Sequence, residues 1–213
     1  MFELIRSGGW LMIPIIACSI LAMAIVCERI WSLQRKRIIP KNLVAQVWYK
    51  VKNKQMTSSD LRTLKESSAL GRMLAAGLSN IHGSREVMKE SIEDVGRHEA
   101  YKLERFLTTL GTIAAISPLL GLLGTVIGMI KVFTAISTVG VGNAGSLASG
   151  ISEALITTAA GMTVAIPSLI AFRYLRGKVD GLVVYMEQEA VKLIEVIHGQ
   201  RVKDKDFEEG SEK

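Results

Sequence analysis

Three uncharged apolar blocks leave this chain few ways to fold. Residues 10–27, 107–130 and 154–172 run for 18, 24 and 19 residues without an Asp, Glu, Lys or Arg. Each is close to the roughly 20 residues a helix needs to cross the hydrocarbon core of a bilayer. The third block extends back to Leu147, giving 26 residues, if one acid, Glu153, is tolerated inside it. Helices of a soluble bundle carry a polar stripe every three or four residues, which these blocks lack. The first block is long, ends on Glu28 and Arg29 and has no small-residue cleavage site, so it reads as an uncleaved anchor. The fold class expected is an all-α integral membrane protein with three transmembrane helices.

The net charge of +6 would point to nucleic acid in a soluble protein, but its placement reports topology and no nucleic-acid partner is expected. Of 26 Lys and Arg, 16 lie between Glu28 and Phe106 and 8 after Phe172, leaving Arg6 and Lys131. By the positive-inside rule the two rich segments face the cytoplasm. The expected organisation is a periplasmic N-terminus (1–8), a first span (9–30), a cytoplasmic helical domain (31–106), a second span (107–133), a periplasmic loop (134–146), a third span (147–173) and a cytoplasmic helix with a charged tail (174–213). Trp10, Trp31 and Tyr174 stand at the ends of spans, as interfacial aromatics do.

Outside the membrane, residues 35–82 read as short helices and turns. Gly83 and Ser84 offer a helix start, with Glu86 in the first turn where the helix dipole favours an acid. No breaker follows before Pro118, so Met88, Ile92, Val95, Leu103, Phe106 and Leu110 form an apolar stripe on one long helix running into the second span. A second stripe, Leu175, Val179, Leu182, Met186, Leu193 and Ile197, continues the third span outward. The two stripes are matched for packing on each other, although each could instead lie on the rest of the cytoplasmic domain. The tail from Lys203 is charged and expected to be disordered. The outer loop Ser137-Thr-Val-Gly-Val-Gly-Asn-Ala-Gly-Ser146 suits a connection and not a binding domain.

Enzyme chemistry has no foothold here. Walker, nucleophile-elbow, zinc and dinucleotide patterns are absent, and His82, His98 and His198 are far apart. Cys18 and Cys27, nine residues apart, fall on opposite faces of one helix and cannot bridge within it. No catalytic residue, metal or cofactor is expected.

Glu153 is the informative residue. An ionised group there costs on the order of 3 kcal/mol to insert, so something must offset it. It could exchange a proton if water or a polar partner reached it, or it could sit at the headgroup level and cap its helix. Hydroxyls surround it in sequence: Ser149, Ser152, Thr157 and Thr158 on the third span, Ser117 and Thr125 on the second. Four residues from Glu153, Thr157 shares its face more nearly than Thr158, and either could face a pore. Gly121, Gly124 and Gly128 on the second span, and Thr157, Gly161 and Ala165 on the third, recur at intervals that let helices approach closely. Pro118 and Pro167 would each free a carbonyl and bend their helices.

The segments Pro118-Leu-Leu-Gly-Leu-Leu-Gly-Thr-Val-Ile-Gly128 and Ile151-Ser-Glu-Ala-Leu-Ile-Thr-Thr-Ala-Ala-Gly161, with Ala165-Ile-Pro167, resemble the signature of the ExbB/TolQ/MotA proton-channel family. Span number, orientation and the large first cytoplasmic segment fit the three-span ExbB and TolQ branches, ExbB more closely. The resemblance implies a homopentamer in the bacterial inner membrane, with long cytoplasmic extensions of helices 2 and 3. The single-span helices of an ExbD-like or TolR-like dimer would occupy its pore. It also implies that Glu153, Thr125 and Thr158 serve proton movement beside an aspartate of that dimer, and that the motion reaches a TonB-like or TolA-like protein. Lys131 departs from the family pattern and would either snorkel outward or tune the field of the pore. Two rivals are a passive scaffold, in which Glu153 only fixes helix register, and a small-solute channel, for which the outer loop lacks a filter.

Overall fold

The computed structural model describes residues 7–140 and 144–211, with side chains throughout except at 139, 144, 146 and 200–211. It is helical, with no strand among the described residues. Among the described residues three helices are long and apolar enough to cross a membrane. The chain divides into two compact units, one made of Met1–Ile30 and Phe106–Arg176, the other of Trp31–Arg105 and Gly177–Lys213.

The second unit contains the charged segments. Helix α1, Met12–Ser32, belongs largely to the first unit; after it come α2, Arg35–Ile38, and α3, Leu43–Lys52. Helix α4, Ser58–Ser67, starts on a capping box, in which Thr57 accepts from the Asp60 amide and the Asp60 carboxylate accepts from the Thr57 amide at 3.0 Å. These bonds and the Lys50 ammonium, 2.7 Å away, hold the Asp60 carboxyl well below the usual carboxylate range, Lys50 being the largest cause. Helix α5, Ala69–Ser79, is capped by Ser68 and α6, Arg85–Glu104, by Ser84, the start expected from sequence. Helix α5 is the centre of this core. Leu70, Met73, Leu74 and Ala75 are almost wholly buried, and the face of α6 bearing Met88 and Ile92 meets it. A Cβ on Gly77 would lie 2.6 Å from Ile92 Cδ1, and one on Gly96 3.0 Å from Met73 Cε. The α6 stripe thus packs on α5.

Glu99 is the one acid of that interface that is almost wholly buried. Arg72 donates to it at 2.6 Å and Lys102 at 2.8 Å. Burial by itself would raise its carboxyl, but these two hydrogen bonds and the cations behind them outweigh it, and the net shift is downward from about 4.5. A lowered folded value gives stability that is present above the ordinary carboxylate pKa and is lost as pH falls through the folded one. Glu99→Gln is expected to cost about 2 kcal/mol at pH 7, below the range for fully buried pairs because both cations are partly solvated. Thermal unfolding of the detergent-purified chain should show the gap between wild type and variant closing as the pH drops below the ordinary carboxylate range. A gap independent of pH would show that Glu99 contributes packing alone.

The long helix expected from Ser84 into the second span is interrupted. Arg105 is extended (φ −48°, ψ 138°) and Phe106 is left-handed (φ 63°, ψ −11°), so α6 ends at Glu104 and α7 runs Leu107–Val139. Neither Gly nor Pro marks the break. A left-handed residue with a side chain costs about 1–2 kcal/mol, and the Phe106 ring offsets part of this by receiving the Arg29 guanidinium 5.4 Å from its centroid.

Helix α8 spans Ala144–Ser211 without interruption. Two expectations change. The connection between the second and third spans, expected over residues 134–146, is partly helical, because α7 continues to Val139 and α8 begins at Ala144; residues 141–143 lie outside the described residues. The tail expected to be disordered from Lys203 is helical to Ser211, since Lys, Arg and Glu propagate a helix readily once it is nucleated and no Pro interrupts it. The second stripe is buried at Leu175, Val179, Leu182, Met186, Leu193 and Ile197. Arg85 on α6 reaches Glu195 at 3.9 Å, tying these helices within the second unit.

Candidate functional site

Within the first unit α7 and α8 run antiparallel, and glycines set how closely they approach. A Cβ on Gly161 would lie 2.5 Å from the Ser117 carbonyl oxygen and 3.2 Å from Gly121 Cα. One on Gly121 would lie 3.0 Å from Thr158 Cα, and one on Gly128 2.8 Å from Ala154 Cβ. Gly124 faces the Thr157 side chain and has no room for a Cβ. Backbone against backbone is the contact that small residues permit in a membrane, where close van der Waals approach replaces the hydrophobic drive. Ala165 is buried on the same helix, and Pro118 and Pro167 lie inside helices that continue through them.

Glu153 lies in the third turn of α8, past the four amides a cap could satisfy, so it is not a helix cap. Its carboxylate is held by Lys131 of α7, whose Nζ donates at 2.6 Å to Oε1 and 2.8 Å to Oε2. The offset that an acid in this block requires is therefore a cation on the neighbouring span. Gly9, just before α1, closes another side: it has φ +69°, and a Cβ there would overlap Oε1. The pair is unevenly exposed, with 51% of the Lys131 side chain accessible and 16% of Glu153.

The predicted threonines divide. Thr157 is 1% exposed, and its hydroxyl donates to the Glu153 and Ala154 carbonyls, both at 3.0 Å. The Thr158 hydroxyl crosses to the Gly121 carbonyl at 3.0 Å, with Ala154 O at 3.1 Å. Both therefore face α7 within one chain. Thr125 donates to Leu122 O of its own helix at 2.6 Å. Sequence reasoning noticed Lys131 but did not pair it with Glu153. The available signal was that each is the lone charge in its apolar stretch, with opposite sign. Among the described residues no cluster of His, Cys, Asp and Glu could hold a metal ion, and both cysteines are free.

Comparison with known proteins identifies the chain's relatives. The model of the MotA/TolQ/ExbB proton channel family matches residues 65–188, which include both Lys131 and Glu153. The chain is 39% identical over 172 residues to the biopolymer transport protein ExbB-like 1 of Synechocystis, covering 79% of this chain and 68% of that one. It is 30% identical over 176 residues to biopolymer transport protein exbB1 of Vibrio cholerae, covering 78% and 75%. Tol-Pal system protein TolQ of Pseudomonas aeruginosa is 40% identical over 85 residues, 40% of this chain and 37% of the relative.

Proposed function

The chain belongs to the MotA/TolQ/ExbB proton channel family, and from that premise we propose that it is an ExbB-type motor subunit driven by the proton gradient. The observation that carries the reading is Glu153, the only acid in the three apolar blocks, held between two packed spans. Alternate protonation of that carboxyl, with Thr125, Thr157 and Thr158 along the pathway, shifts the single-span helices of an ExbD-like dimer inside a pentamer of this chain. A TonB-like protein carries the motion to the outer membrane and drives import there. The chain sits in the inner membrane with its N-terminus periplasmic and its C-terminus cytoplasmic, as its Lys and Arg distribution favours.

The energy scale is sufficient. One proton falling through the membrane potential releases about 2.3 kcal/mol per 100 mV, and about 1.4 kcal/mol more per pH unit. Packing differences between two helix arrangements are of that size. An ExbB-type system is favoured over a TolQ-type one by the length of the likeness, 172 residues against 85. The TolQ-like alternative, with TolR-like and TolA-like partners in envelope integrity, draws on the higher local identity.

The test is to purify the full chain with the single-span protein that accompanies it, reconstitute both in vesicles, impose an acid-outside gradient and follow internal pH. Internal acidification that needs both proteins is the expected result. A stable complex that moves no protons would make the chain a scaffold.

A further inference from the structure

Counting charges at the Lys131–Glu153 pair leads beyond the family reading. At rest the pair is neutral. A proton added to Glu153 leaves the Lys131 ammonium without its anion, beside an apolar block that holds no second acid: between residues 107 and 172 Glu153 is the only Asp or Glu. Within one chain, then, both oxygens of the carboxylate are occupied by the Lys131 ammonium, at 2.6 and 2.8 Å. They are freed when another anion takes over the ammonium. Lys131 is the accessible member of the pair, with half its side chain exposed while Glu153 is largely covered, so an approaching anion meets the cation first. A second copy of this chain brings its Glu153 already bound to its own Lys131. The spans of that copy hold no other acid, so a free carboxylate on a neighbouring helix is one from a different protein.

We propose that Lys131 is a lock on Glu153: it keeps the carboxyl from carrying protons until a carboxylate on a helix of another protein draws the ammonium away. This rests on the proton-carrier reading of Glu153 and adds the condition under which it operates. Lys131 acts here as a positioning residue, since the proton itself binds Glu153. The remaining surroundings of the carboxylate support this. Gly9 presents backbone to it and Thr157 donates its hydroxyl to carbonyls, so Lys131 is the one cation within hydrogen-bond distance of Glu153 among the described residues.

The experiment uses the full chain without any partner, reconstituted in vesicles under an imposed proton gradient. Wild type and Lys131→Arg should both be tight. Lys131→Met should leak protons faster by roughly tenfold or more, the range of single-site couplings, and Lys131→Met combined with Glu153→Gln should be tight again. Lys131→Gln serves as a second neutral variant, and the size-exclusion profile of each protein establishes that it is folded. A folded Lys131→Met or Lys131→Gln chain as tight as wild type overturns the lock. So does a leak that survives Glu153→Gln, which would be a packing defect. If the lock fails while the partnered complex still moves protons through Glu153, the motor reading stands without it; if the complex moves none, both fall.

Discussion

Cells carrying Glu153→Gln are expected to assemble the complex at wild-type level and to drop gradient-dependent uptake to that of cells lacking the protein. Glutamine keeps the size of the side chain and one oxygen to accept from Lys131 Nζ, now 2.6 and 2.8 Å from the two carboxylate oxygens. What it lacks is the ability to bind and release a proton, passing between an anion and a neutral acid. The structural cost is the loss of one charge-assisted bond, on the order of 1 kcal/mol with the lysine half exposed. A helical membrane protein can absorb that and still assemble. Co-purification of the partner and uptake of substrate by intact cells are the two measurements. Normal assembly with no uptake assigns Glu153 to the proton path. Normal uptake removes it from that role and favours a scaffold.

The second large effect belongs to packing. Gly161→Val should prevent α7 and α8 from closing, because its Cβ would stand 2.5 Å from the Ser117 carbonyl oxygen and 3.2 Å from Gly121 Cα and N. Overpacking usually costs about 1–3 kcal/mol, and the upper end applies because the obstacles are backbone atoms. Separation would also break the bond from Thr158 to Gly121 O. Gly181→Ala is the control: nothing lies within 4 Å of a Cβ there, and alanine is the better helix former by about 1 kcal/mol. Thermal unfolding in detergent should show a large fall for Gly161→Val and none for Gly181→Ala. Equal effects would mean that the α7–α8 contact is looser than these distances.

The spans were legible because a bilayer imposes a length and forbids charge, and both are one-dimensional properties of a sequence. The starts of α4 and α6 follow from local chemistry of the same kind, a hydroxyl followed by an acid, which stands out in the sequence at Ser84 and less so at Thr57. The break at Phe106 was not legible, since no glycine or proline announces it and the ring contact that favours it comes from Arg29, distant in sequence. The connection between α7 and α8 reads longer in the sequence because its small residues resemble a loop, yet those at 134–139 and 144–146 continue the two helices. The site was half legible. Lone charges at 131 and 153 could be seen, but 22 positions separate them, and only the antiparallel register of α7 and α8 brings them together.

The threonine hydroxyls have a bearing on how a proton could travel. A Grotthuss chain needs every member to accept a hydrogen on one side and hand one on from the other, turning between steps. Thr157 and Thr158 already commit their single hydrogen to backbone carbonyls, at 3.0 Å in each case. In that state each keeps only lone pairs to offer. In that arrangement neither relays the charge onward, and Thr157, 1% exposed, is closed to solvent as well, so of the two only Thr158 can steady a water in any wire past Glu153, as a fixed post beside mobile water.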